Sequence, residues 1–194
     1  MRAILVTGVI GSGKDTAVKY LLENYVVEGA KFAAPIKDIG MYLFGWDTRH
    51  SEGNLKEVKD EFWGISPREF FQLFGTDIMQ FFMSKRVKQF KKNTGRKIWA
   101  KILAKKYEKG QLPIVVSDCR FPHELDTLKQ FGYDVEVIKI VRNKTPWYKK
   151  LFWHESEKAI DKIKAGYTVS NTGTIEELYT AIDHIAQHLG LVKR

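Results

Sequence analysis

Residues 8–15 read Gly8-Val9-Ile10-Gly11-Ser12-Gly13-Lys14-Asp15, the pattern G-x-x-x-x-G-K, and they follow the apolar run Ile4-Leu5-Val6. Glycines at this spacing let successive backbone N–H groups turn inward, making a nest for phosphate oxygens at the start of a helix. A lysine after the last glycine adds a compact positive charge that can follow a phosphoryl group as it is transferred. A strand before and a helix after are the context in which the pattern means a phosphate-binding loop rather than a glycine-rich turn. The loop departs from its usual form at one position. The Ser or Thr whose hydroxyl normally ligates Mg²⁺ after the lysine is Asp15, followed by Thr16. Either the carboxylate or the Thr16 hydroxyl must then help hold the metal, and both are oxygen ligands suited to Mg²⁺. The alternative for Asp15 is a carboxylate that only stabilises the first helical turn.

Ile114-Val115-Val116-Ser117-Asp118 is a second apolar run ending in a carboxylate. In an open parallel sheet, ligands sit beyond the carboxyl ends of the strands, so Asp118 and Lys14 are expected at one edge. There Asp118 could hold a metal-bound water or orient the attacking group; capping of the next helix is its alternative. Arg120 follows two residues later, and Arg142 ends the run Val135 to Val141. Guanidinium groups at that edge would stabilise the charge that spreads over the equatorial oxygens during phosphoryl transfer.

The elements that must position these groups follow from periodicity and punctuation. Strands are expected at Arg2–Thr7, around Val26–Phe32, at Ile114–Ser117, Val135–Val141 and Tyr167–Ser170. Helices are expected at Lys14–Asn24, from Pro35 to about Phe44, at His123–Phe131 and at Ile175–Leu189. Ser66-Pro67-Arg68-Glu69 has the form of a capping box, opening a helix that should break near Gly75-Thr76-Asp77 and resume through Phe82 and Val87. A basic helix should cover Arg96–Lys109 and stop at Gly110. Gly45–Ile65 reads as an irregular loop or mobile insertion. Lys144–Ala165 is basic and aromatic, helical in its second half. Strands alternating with helices imply an α/β fold with a parallel sheet covered on both faces.

Composition bounds the rest. With 194 residues, 44% hydrophobic, and twelve Phe, eight Tyr and five Trp, the chain has ample core material for one domain. A single cysteine, Cys119, excludes an internal disulfide framework or a multi-cysteine metal cluster. The N-terminal apolar run is too short for a membrane span and lacks a cleavage-site pattern, so a cytoplasmic protein with no membrane partner is expected. The net charge of +9 is local: residues 84–110 hold eleven Lys or Arg against one acid and carry +10, leaving −1 for the remainder. Such a segment could attract phosphate-bearing small molecules, nucleic acid or an acidic partner, or simply be a solvated surface.

The chain resembles the bacteriophage deoxynucleoside monophosphate kinases, a branch of the P-loop nucleoside monophosphate kinase superfamily. The matching pieces are SGKDT (Ser12–Thr16), PIKD (Pro35–Asp38), FGTD (Phe74–Asp77), Trp99, DCRFPHE (Asp118–Glu124), IVR (Ile140–Arg142), HESE (His154–Glu157) and SNTGTIEEL (Ser170–Leu178). They stand in the family's order and span nearly the whole chain. SGKDT alone also occurs in a branch that phosphorylates phosphomevalonate; its conjunction with the others is more specific.

The resemblance implies a three-layer αβα P-loop fold with a five-stranded parallel sheet, as one kinase domain. Its core would be about 1–44 and 111–194, with a monophosphate-binding helical region at about 45–110 and a lid at about 143–165. It implies transfer of the ATP γ-phosphoryl group to deoxynucleoside 5′-monophosphates, for DNA precursor synthesis in the host cytoplasm if the protein is phage-encoded. By the same resemblance Gly11, Ser12, Gly13, Lys14, Asp15 and Thr16 bind ATP phosphates and Mg²⁺, Arg142 approaches those phosphates, and Asn171 to Gly173 meet the adenine. Lys37, Arg68, Gly75, Thr76, Trp99, Asp118, Arg120 and Glu124 are then candidates for the monophosphate site. Lys37 and Arg68 are cations near helix starts, suited to a 5′-phosphate or merely solvated. Trp99 could stack on a base or anchor its helix in the core. Thr76 and Glu124 have helix capping as their alternative role. A small-metabolite kinase of the phosphomevalonate or dephospho-coenzyme A type remains a rival, as does a nucleic-acid-binding P-loop ATPase. A homodimer, and an acidic or nucleic-acid partner bound through residues 84–110, are left open.

Overall fold

The computed structural model describes residues 1–142 and 159–194. Two compact units divide the chain: Met1–Lys31 together with Leu103–Arg194, and Phe32–Ile102.

The first unit is built on one sheet of five strands, β1 (Arg2–Thr7), β2 (Glu28–Ala30), β3 (Ile114–Val116), β4 (Asp134–Val141) and β5 (Tyr167–Ser170), in the order β2-β3-β1-β4-β5. Every pairing is parallel, with Leu5 opposite Val116 on one side and Val137 on the other. This is the expected five-stranded parallel sheet. Its cause is visible in β1 and β3, whose apolar residues Ala3–Val6 and Ile114–Val116 are all fully buried because helices cover both faces. Helix α1 (Lys14–Asn24) and the C-terminal helix Ile175–His188 cluster on Ile4, Val6, Val115, Ile138 and Ile140 through Ala17, Val18, Leu21, Leu178, Ile182 and Ala186. The helix Pro122–Gln130 packs against β4 with Leu125 and Leu128 buried. β1 therefore lies at the centre with β3 and β4 beside it, and the loops leaving all three emerge at one edge. The β2 strand is shorter than its apolar run suggested, with Glu28 and Gly29 exposed.

The second unit is helical. Its aromatic core joins Phe44, Trp46, Phe70 and Phe74, with ring centroids 4.4 Å apart for Phe44–Trp46, 4.8 Å for Phe44–Phe70 and 5.3 Å for Phe70–Phe74. Helix α2 (Ala34–Phe44) starts with proline in its first turn and ends at Gly45. The stretch 45–65 is organised rather than irregular. Trp46 is buried and donates Nε1–H to Asp60 at 2.9 Å, the same carboxylate accepts the backbone N–H groups of Phe62 and Trp63, and Asp60 bridges Ile65. These three hydrogen bonds, Trp46 foremost, hold the Asp60 carboxyl below its usual range.

The capping box at Ser66 is present, with Ser66 N donating to Glu69 at 2.8 Å, and it opens the helix Pro67–Gln72. The break expected at Gly75-Thr76-Asp77 does not occur. The chain continues as a π-helix, Leu73–Phe82, and then as a short α-turn, Met83–Arg86. Glycine disfavours a helix interior by roughly 1 kcal/mol, but here tertiary contacts offset that cost. A Cβ on Gly75 would lie 2.7 Å from Ile36 Cδ1, and Gly75 O accepts the Trp99 indole N–H at 2.7 Å. The basic helix is also shorter than expected: a 3-10 turn at Gly95–Lys97 leads into Ile98–Lys106, and a turn closes on Gly110. The lid region falls largely on residues 143–158, outside the described residues, as does the HESE motif. The described part, Ala159–Lys162, is a 3-10 turn. Among the described residues no helix is long and apolar enough to cross a membrane.

Trp99 is only 4% exposed and its N–H is engaged, so it is placed as an anchor of the second unit. Trp99→Phe keeps a ring and leaves the Gly75 carbonyl without this partner, and should cost about 1–3 kcal/mol in urea unfolding. A base-stacking role would instead leave stability unchanged and weaken acceptor binding.

Candidate active site

The phosphate loop leaves the carboxyl end of β1 in a path that leaves almost no room for side chains. A Cβ on Gly8 would stand 2.6 Å from the Ile140 carbonyl oxygen and 2.5 Å from Ser12 Oγ, and Gly13 adopts a left-handed φ of +96° with the Asn171 amide against its Cα. Asn171 Nδ2 donates to Ser12 O at 2.8 Å, while its backbone N–H donates to Val141 O at 2.8 Å. Asn171 is thus a strut from the β5 end to the loop, a role that sequence reading missed.

Two features of the loop leave polar groups without a side-chain partner. Helix α1 begins at Gly13 with no side-chain cap, which leaves its first N–H groups for an external acceptor. Ser12 is buried and its Oγ has no hydrogen-bond partner. Lys14 is 16% exposed and lies 3.3 Å from the carboxylate of Asp15, which is 82% exposed. Thr16 follows, half-buried in the first turn.

Asp118 and Arg120, both half-buried, lie in the loop that follows β3 at the same edge. Thr7 at the end of β1 donates its hydroxyl to Cys119 O at 2.9 Å, tying this loop to the phosphate loop's base. Glu124 fixes the other side. Its Oε2 accepts the backbone N–H groups of Arg120 at 2.8 Å and Phe121 at 2.9 Å, in the first turn of the helix Pro122–Gln130. The carboxyl is fully enclosed, and burial pushes it up to about 8; the two N–H groups oppose that rise and the nearby Asp118 charge adds to it. Cys119 is buried beside it, and burial likewise raises its thiol well above the ordinary value, the mark of an inert thiol. Arg142 is exposed directly after β4, and Gly173 precedes the Thr174–Glu177 capping box. The first unit therefore brings Gly11, Ser12, Gly13, Lys14, Asp15, Thr16, Asp118, Arg120, Arg142 and Asn171 to one edge of the sheet.

The second unit holds the remaining expected residues. Lys37 Nζ lies 2.5 Å from Glu52 Oε1, and Arg68 Nη2 and Nε both reach the single oxygen Glu57 Oε1, at 2.5 and 2.7 Å. Gly75 and Thr76 are buried on the π-helix, and Trp99 is fastened to Gly75. Neither carboxylate partner was legible beforehand, because both lie within the patternless stretch 45–65.

A family model described as deoxynucleotide monophosphate kinase matches residues 46–182. A protein of Acanthamoeba polyphaga mimivirus, provisionally named deoxynucleotide monophosphate kinase, is 31% identical over 89% of this chain and 89% of its own length. The deoxynucleotide monophosphate kinase of Enterobacteria phage T4 is 25% identical, covering 94% of this chain and 97% of that protein. Among solved structures, the TT1252 protein of Thermus thermophilus aligns over 97% of both chains with a TM-score of 0.50 and 15% identity, a likeness of fold alone. The family match begins after the phosphate loop, so the loop's own geometry is a separate observation.

The raised Glu124 carboxyl sets a pH dependence. Between the ordinary carboxylate range and about pH 8 the folded protein keeps a proton that the unfolded chain has lost, so stability falls as pH rises through that window. Glu124→Gln does not titrate, and its amide oxygen still accepts both N–H groups. The melting temperature of Glu124→Gln should gain on that of the unsubstituted protein steadily from pH 5 to pH 8. A difference independent of pH would mean that the carboxyl titrates normally.

Proposed function

The chain belongs to the deoxynucleotide monophosphate kinase family, and from that premise we propose that it transfers the γ-phosphoryl group of ATP to deoxynucleoside 5′-monophosphates, yielding deoxynucleoside diphosphates and ADP. The observation that carries the reading is the phosphate loop: an uncapped helix start, a buried Ser12 hydroxyl without a partner, and Lys14 beside them, at the sheet edge that also bears Asp118, Arg120 and Arg142.

The loop N–H groups and Lys14 take the ATP phosphates. An oxygen of the acceptor's 5′-phosphate forms a bond to the γ-phosphorus as the bond to the bridging oxygen of ADP breaks. The nucleophile is already an anion, so no general base is needed, and catalysis reduces to positioning and charge stabilisation. Arg120 and Arg142 supply fixed positive charge for the equatorial oxygens. Asp118 orients the attacking phosphate or a metal-bound water. Lys37, Arg68, Gly75 and Thr76 serve the acceptor, with Lys37 and Arg68 exchanging Glu52 and Glu57 for phosphate. Asn171 and Gly173 border the adenine, and Glu124 positions Arg120 by holding its backbone.

Mg²⁺ fits these residues. Asp15 and Thr16 would hold it, and Mg²⁺ bound with substrate phosphates needs only one or two protein oxygens; among the described residues no larger cluster of His, Cys, Asp or Glu forms a cage. When bound it neutralises charge on the β- and γ-phosphate oxygens. The exposed cations Lys85, Arg86, Lys88, Lys91 and Lys92 support long-range attraction of anionic nucleotides to the second unit. The viral and phage relatives support a role in DNA precursor synthesis in a host cytoplasm.

A coupled assay of ADP release with each of the four deoxynucleoside monophosphates tests the reading. Turnover with at least one is expected, and Lys14→Ala should lower kcat by at least ~100-fold, the scale of losing one transition-state donor, with an unchanged circular dichroism spectrum. Near-normal turnover in Lys14→Ala would reject the loop assignment. Asp15→Asn should raise the Mg²⁺ concentration needed for half-maximal rate; an unchanged metal dependence would leave Asp15 as a helix-end charge.

A further inference from the structure

Three buried side-chain atoms among the described residues have no hydrogen-bond partner: Ser12 Oγ, Arg96 Nε and Gln80 Oε1. Ser12 is accounted for by the phosphate loop, and the Arg96 guanidinium lies over the Phe81 ring at 4.5 Å. Gln80 has no such account. It is 3% exposed, in a sequence, Leu73–Phe82, whose other side chains are mostly apolar. Buried amide oxygens are nearly always paired, and one left unpaired calls for a ligand, a water or a functional reason.

Its surroundings define what could pair with it. Gln80 lies on the π-helix, a distortion frequent at functional sites. Thr76, four residues earlier on the same element, is also buried, and the Gly75 carbonyl beyond it is taken by Trp99. Ser84 does not reach the side-chain oxygen; its hydroxyl donates to the Gln80 main-chain carbonyl at 2.7 Å. The 3-10 turn Gly95–Lys97 packs against the π-helix, with the Arg96 guanidinium over the Phe81 ring next in sequence to Gln80. A primary amide offers one acceptor and one donor side by side, and it matches any planar group presenting the complementary pair on one edge. Every nucleobase does so on one of its edges.

Resting on the acceptor reading above, we propose that Gln80 reads the base of the deoxynucleoside monophosphate, its Oε1 accepting a base N–H and its Nε2 donating to the neighbouring base acceptor. The amide works in either orientation, so Gln80 accepts bases of opposite donor and acceptor order, while Gln80→Glu offers acceptors only once its buried carboxyl has ionised.

The test is steady-state kinetics of the full chain with all four deoxynucleoside monophosphates, for the unsubstituted protein, Gln80→Leu and Gln80→Glu. In Gln80→Leu the acceptor KM should rise at least tenfold, with the KM for ATP unchanged. In Gln80→Glu, assayed up to about pH 9.5 so that the buried carboxyl ionises, the ratios of kcat/KM among the four bases should shift by tenfold or more. Inhibition by 2-deoxyribose 5-phosphate, which has no base, should be equal in all three proteins. If Gln80→Leu fails to fold, Gln80→Glu decides alone. Base ratios that stay constant, or a loss shared equally by ATP and 2-deoxyribose 5-phosphate, would overturn the proposal and leave the kinase reading standing. Absence of turnover with any of the four by the unsubstituted protein would overturn both.

Discussion

The first unit depends on how closely its backbone can approach itself at the carboxyl end of β1. Gly8 passes within contact of the Ile140 carbonyl, and only a residue without a side chain can make that passage. This close approach sets the start of α1 against the end of β4, and the Asn171 amide then braces the loop from β5. Because the helix begins without a side-chain cap, its first N–H groups and the buried Ser12 hydroxyl are polar groups left without a side-chain partner. On the proposed reading, an anion there supplies the hydrogen bonds that the fold itself withholds, at a cradle that is already formed.

Charge is handled consistently around the proposed chemistry. Lys14 faces Asp15, Lys37 faces Glu52, and Arg68 faces Glu57. Each pair includes an exposed carboxylate, so little stability rests on any of them. Each cation is nonetheless held in place, and a phosphate with greater charge and more acceptor atoms can displace the carboxylate. On the proposed reading, phosphate binding at these cations is an exchange between anions. Glu124 is a different device. Enclosed and tied to two backbone N–H groups, it supports the Asp118–Phe121 loop rather than competing for a cation.

The helical unit shows where local rules give way to tertiary ones. Gly75-Thr76-Asp77 carries a breaking signal, yet the helix runs on as a π-helix because Ile36 fills the space above Gly75 and Trp99 takes its carbonyl. Residues 45–65 have no period, yet they are ordered by one buried tryptophan and the Asp60 carboxylate beneath it. Trp46 in a polar stretch is a weak signal in one dimension and a strong one in three, because its burial is what recruits the hydrogen bonds around it.

The sequence by itself determined the phosphate-loop pattern and the parallel sheet, since both rest on local patterns. The spacing of Gly8, Gly13 and Lys14 and the apolar runs of β1 and β3 need no distant partner to be read. The capping box at Ser66 and the cations at strand ends were legible for the same reason. Only the tertiary structure decided that Trp99 is an anchor, that Asn171 braces the loop, that Glu124 is enclosed, and that Gln80 is buried with an oxygen unpaired. The Trp99 and Asn171 contacts join groups far apart in the chain that come within about 3 Å of one another, and the burial of Glu124 and Gln80 comes from packing that no local pattern encodes.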